Sequence, residues 1–132
     1  MAKRLLSGIY LVANVCCSVF YLLFGGNVCG EAIVGVGGLV MLIVCAALAV
    51  SLLRGKNPVL GTAKCATVFL GLAHLFVCLC WLRWFPSYWA GPALHGALFL
   101  FSGGYLYWLI RESGTAAFWT DYEFHPWEKE RA

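Results

Sequence analysis

Four long apolar runs, separated by short polar punctuation, organise this chain. The first covers residues 5–24, between Lys3-Arg4 and Gly25-Gly26-Asn27. The second covers 32–53, between Glu31 and the stretch Arg54-Gly55-Lys56-Asn57-Pro58. The third covers 59–82 and stops at Arg83; the fourth covers 88–110 and stops at Arg111-Glu112. Each has the roughly 20 apolar residues a helix needs to cross the hydrocarbon core of a bilayer. The connections are short, so consecutive helices are expected to be antiparallel neighbours. The pattern predicts an all-α integral membrane protein. Residues 1–112 form a four-helix transmembrane bundle, and residues 113–132 a short aromatic, acidic tail.

Composition agrees with this pattern. Of 132 residues, 62% are hydrophobic and only 11% charged, and the mean hydropathy is +0.83. An ordinary soluble domain carries roughly 25% charged residues, so most of this surface is expected to face the lipid bilayer. The first run is expected to stay as a span, because its apolar core is too long for a signal peptide and no small-x-small cleavage site follows it. No basic run interleaved with aromatics is present, which argues against a nucleic-acid partner.

Charge placement sets the expected orientation. Lys3, Arg4, Arg54, Lys56 and Arg111 fall on one side, and Arg83 alone falls on the other. By the positive-inside tendency both termini should face the cytoplasm, or the matrix of an inner mitochondrial membrane. Arg54, Lys56, Lys64 and Arg83 are the expected contacts to lipid headgroups, with Lys64 extending its stem toward the basic side. Trp81, Trp84, Phe85, Tyr88 and Trp89 crowd the turn between the third and fourth runs. Indole and phenol rings settle at headgroup level, so this crowd reads as an interface anchor.

Polar residues inside spans are rare, and each is a functional candidate. Asn14 suits a hydrogen bond to a neighbouring helix. His74 and His95 lie on antiparallel neighbours at similar depths, roughly 12 Å and roughly 9–10 Å from the far surface at 1.5 Å per residue. That placement suits one histidine bonding the other, or a pair of axial ligands to haem or chlorophyll with Gly71 and Gly96 leaving room. The structural alternative needs no cofactor. Six of the seven cysteines fall inside apolar runs and read as small packing residues. Cys78 and Cys80 point to different helix faces and make no metal pair. No nucleophile stands at readable spacing from a base, so no catalytic residue is assigned and no enzyme activity is expected. No span contains an acid, which disfavours a small transporter or channel.

Small residues exceed what four helices need among themselves. Gly35, Gly37, Gly38, Ala46, Ala47 and Ala49 lie in the second run, and Ala93, Ala97, Ser102, Gly103 and Gly104 in the fourth. The tail adds Phe118, Trp119, Tyr122, Phe124 and Trp127 among acids, a composition unlike that of disordered tails. These five rings are the expected docking residues for a protein partner. The resulting expectation is an accessory subunit of a larger membrane complex, with a respiratory-chain assembly of the inner mitochondrial membrane as host. A haem- or pigment-binding electron-transfer subunit using His74 and His95 is the alternative.

Overall fold

The computed structural model describes residues 2–29, 32–54 and 57–112. They form four α-helices: α1 Ala2–Cys29, α2 Ala32–Arg54, α3 Asn57–Trp84 and α4 Ala90–Glu112. No strand occurs among the described residues. Each helix contains a stretch long and apolar enough to cross a membrane: Leu5–Gly25, Val34–Leu53, Gly61–Trp84 and Ala90–Arg111. The fold is the expected four-helix bundle, and its class is a multi-pass integral membrane protein. The tail residues Phe118, Trp119, Tyr122, Phe124 and Trp127, together with Lys56 and the side chain of Arg54, lie outside the described residues.

Local chemistry accounts for the helix ends. Pro58 falls in the first turn of α3, where a missing N–H costs nothing. Between α3 and α4 the Tyr88 N–H donates to the Phe85 carbonyl at 3.0 Å. This closes a turn with Pro86 in the position that its fixed φ favours. The turn holds Tyr88 outside the helix, so α4 begins two residues later than the apolar run. Pro92 then sits in the first turn of α4, and the Ala93 N–H donates to the Trp89 carbonyl at 3.0 Å.

Two hairpins build the bundle. α1 packs along α2, α3 packs along α4, and α2 joins the pairs through α3, whereas α1 and α4 barely approach. Glycine sets the closeness of the hairpins. A side chain at Gly38 would overlap the backbone of Leu22, Ser18 and Tyr21, so α2 lies directly on the α1 backbone there. At Gly71 an added Cβ would stand 3.1 Å from the Ser102 Cβ, which seats α3 on α4. Such close approach is the usual basis of helix association in lipid, where no hydrophobic drive separates helix from solvent.

The interior is a compact row of Tyr10, Met41, Cys45, Leu48, Leu70, Tyr105 and Leu109 with small residues such as Ala63 and Ala66. A second, smaller group joins Cys17, Tyr21 and Leu98. Large apolar side chains such as Val12, Ile43, Leu72, Phe76 and Leu100 point outward. In water that surface would be a liability; in a bilayer it is the solvated face.

Candidate functional site

The inward face of α1 carries a polar stripe. Tyr10, Asn14, Ser18 and Tyr21 recur at nearly the helical period, and all four are buried. On α3 the matching positions are Thr67, His74 and Trp81; on α4 they are His95, Ser102 and Tyr105. Asn14 and His74 are fully enclosed (0% exposed) and His95 is 1% exposed. In a hydrocarbon setting each such group needs a partner, because an unpaired one costs several kcal/mol.

The partners form one continuous chain. The Trp81 indole Nε1 donates to the Tyr21 hydroxyl at 2.9 Å. Tyr21 lies 2.7 Å from His95 Nε2. His95 Nδ1 lies 3.0 Å from His74 Nδ1, and His74 Nε2 lies 2.9 Å from Asn14 Oδ1. Asn14 Nδ2 donates to the Tyr10 carbonyl at 2.8 Å.

This geometry assigns the protons. A carbonyl only accepts, so the Asn14 amide N–H faces Tyr10 and its oxygen faces His74. His74 Nε2 therefore carries a hydrogen and donates to Asn14; a charged imidazolium is costly within a span and no acid is present there to offset it, so the ring is neutral and its Nδ1 is an acceptor. His95 Nδ1 must then donate to it, and His95 Nε2 must accept from the Tyr21 hydroxyl. Both imidazoles are neutral, in opposite tautomers. Every hydrogen bond runs in one direction, from the indole of Trp81 to the carbonyl of Tyr10.

A second set of bonds ties the same helices nearer the basic end. Ser102 donates to the Leu98 carbonyl at 2.9 Å, so the Tyr10 hydroxyl is the donor in its 2.7 Å contact with Ser102. Tyr105 donates to Ser7 at 2.8 Å, and the Tyr10 and Tyr105 rings stack with centroids 4.4 Å apart. Lys64 is also inward, 5% exposed on the face of α3 that carries Thr67. Arg83 is exposed in the last turn of α3.

The expected pairing of the histidines thus takes the form of a direct bond. A macrocycle between them would require the rings to part. Gly71 is occupied in packing against Ser102, and a side chain at Gly96 would meet nothing within 4 Å. Trp84, Tyr88 and Trp89 are exposed around the turn, as an interface anchor requires. Trp81 departs from that group, because its N–H turns inward to end the polar chain.

Cys17 is the residue that sequence reasoning passed over. Its Sγ and one ring nitrogen from each of His74 and His95 all lie within 4.8 Å of one another. Beside them a cleft of about 540 Å³ opens between α1 and α4. Its wall is apolar apart from Cys16, Cys17, Tyr21, His95, Trp81 and Tyr88.

Together the fold and this interior define a four-helix membrane bundle with a satisfied, neutral hydrogen-bond chain at its centre. No family model, curated protein or solved structure matches the chain.

Proposed function

We propose that the chain is a small accessory subunit of a larger membrane complex, held by transmembrane helices of other subunits against the outer faces of α2 and α4. The observation that carries this reading is the outward direction of small residues. Gly37, Ala46 and Ala47 on α2 are exposed, as are Ala93, Ala97, Gly103 and Gly104 on α4. A Cβ at Gly37, Gly103 or Gly104 would meet nothing within 4 Å. The bundle uses Gly38 and Gly71 for its own packing and leaves these others unused. In lipid an exposed small residue gains little from acyl chains and permits close backbone contact with another helix, although larger side chains such as Ile43 and Leu100 stand beside these positions. The aromatic tail is a second docking element on this reading, and a respiratory-chain assembly is the proposed host.

Purification of the tagged chain in a mild detergent tests this. Stoichiometric membrane subunits should co-migrate with it in a native gel, and Gly103→Leu combined with Gly104→Leu should release them. Recovery of the native chain alone, from membranes where it is normally present, would sink the reading. A second reading, a subunit that itself carries a bound group, is favoured by the meeting of Cys17, His74 and His95.

A further inference from the structure

We propose that Cys17, His74 and His95 form a binding site for a soft monovalent metal ion, copper(I), inside the membrane-spanning bundle. Three donors from three helices converge here: a thiol from α1, an imidazole from α3 and an imidazole from α4, all within 4.8 Å. Helix spacing does not force this. Cys17 could have faced lipid, as its neighbour Cys16 does.

The outer ring of contacts has the form a metal site needs. Metal-binding histidines hold their second nitrogen in a hydrogen bond, which fixes the ring and aims the first nitrogen. His74 Nε2 is held by Asn14 at 2.9 Å, and His95 Nε2 by Tyr21 at 2.7 Å. Asn14 is anchored in turn by the Tyr10 carbonyl, and Tyr21 by Trp81. Both Nδ1 atoms consequently point at each other, 3.0 Å apart. With bonds of about 2.0 Å to nitrogen and about 2.3 Å to sulfur, a trigonal ion needs nitrogens roughly 3.5 Å apart and sulfur roughly 3.7 Å from each. The two nitrogens would part by about half an ångström and the sulfur would draw in toward them.

Charge selects the ion. No acid lies in any span, so a thiolate is the one anion this site can supply. Copper(I) with one thiolate and two neutral imidazoles is neutral overall. A divalent ion would leave a net positive charge in a medium where that is costly. Thiolate and imidazole are the donors a soft cuprous ion prefers, and three-coordination leaves zinc short of its usual four ligands. The cleft beside Cys17 and His95 is lined as far as Tyr88 and Ala90 at the α3–α4 turn.

The proton balance closes. Cys17 loses its S–H proton as the S–Cu bond forms, so one proton is released per ion. His95 moves its hydrogen from Nδ1 to Nε2 and donates it to the Tyr21 oxygen, which still accepts from Trp81, while the Tyr21 hydroxyl hydrogen turns from His95 toward the cleft that Tyr21 lines. His74 keeps its Nε2 hydrogen on Asn14. No electron is transferred.

The test is titration of the full chain in detergent with copper(I), under a reducing atmosphere and against a colorimetric cuprous chelator. One equivalent should be retained. Cys17→Ser and His95→Gln should each weaken retention more than about a hundredfold, and Tyr21→Phe, which loosens only the outer ring, by about tenfold. Cys65→Ser, more than two helical turns from His74 on α3, should leave the equilibrium affinity unchanged. X-ray absorption on the unmutated chain removes any dependence on how variants fold. One sulfur and two nitrogen neighbours support the site. Two or more sulfurs, unchanged retention in Cys17→Ser, or zinc(II) held in preference to copper(I) would each overturn it.

Discussion

The hairpins and the α1–α4 seam hold this bundle together in opposite ways. Within the hairpins, a glycine backbone lies directly against the facing helix. Gly38 lies against the α1 main chain, and Gly71 against Ser102. Across the seam the helices stand apart, and long polar side chains reach over: Tyr10 to Ser102, Tyr105 to Ser7, Tyr21 to His95, and Asn14 to His74 from the neighbouring α3. The first kind of contact depends on shape and leaves no room for chemistry. The second depends on hydrogen bonds, and where its far half widens it leaves a cleft beside two histidines and a thiol. Close packing gives this protein its frame, and the loosely packed seam gives it a place where something can bind.

The largest effect should come from breaking a hairpin. Gly38→Val places two methyls and a Cβ into the α1 backbone, which cannot yield without parting the helices. A loss on the order of 3 kcal/mol or more is expected. Unfolding by increasing SDS mole fraction, followed by circular dichroism, measures it. A loss below about 1 kcal/mol would mean the hairpin is looser than described.

Cutting the seam should cost less. His74→Leu removes two bonds and leaves Asn14 Oδ1 and the His95 Nδ1 hydrogen without partners. About 2 kcal/mol is expected, since interhelical bonds in membranes average nearer 0.6 kcal/mol and buried unpaired groups add to that. The double variant His74→Leu with His95→Leu should cost less than the sum of its singles, because the two residues share one bond. Additive losses would contradict a connected chain.

Direction within the chain makes a finer test. Tyr21 serves both as acceptor for Trp81 and as donor to His95, whereas Trp81 only donates. Tyr21→Phe should therefore destabilise by about 1 kcal/mol and Trp81→Phe by about half that. The reverse order would break the assigned polarity. The smallest signal is spectroscopic. Nitrogen-15 shifts of the two rings should report the hydrogen on Nε2 of His74 and on Nδ1 of His95. Identical tautomers in both rings would show that the chain does not run one way.

Four spans, their antiparallel order and the short connections were legible from residue pattern alone, because a bilayer demands long apolar runs whatever their partners are. His74 and His95 were legible as a pair, since a uniform helical rise turns sequence distance into depth. Rotation about each helix axis was harder to read. In water the apolar side of a helix marks the core, but here both sides are apolar, and Leu70 inside looks like Leu72 outside. The usable signal on α1 was polar, the recurrence of Tyr10, Asn14, Ser18 and Tyr21 on one face. Tyrosine is so ordinary near membrane surfaces that only Asn14 stood out.

What the tertiary structure decided is which groups from different helices meet. Cys17 reads as packing like the other cysteines in spans, until the closeness of α2 to α1 at Gly38 and of α3 to α4 at Gly71 sets the three helices in register and turns its sulfur toward the histidines. Trp81 reads as an interface ring like Trp84, until the bundle places the Tyr21 hydroxyl within 2.9 Å of its indole nitrogen. A bilayer acts on every residue of a span alike, so composition suffices to reveal the spans. A hydrogen bond or a metal acts between particular atoms, and their distances depend on how four helices are packed against one another.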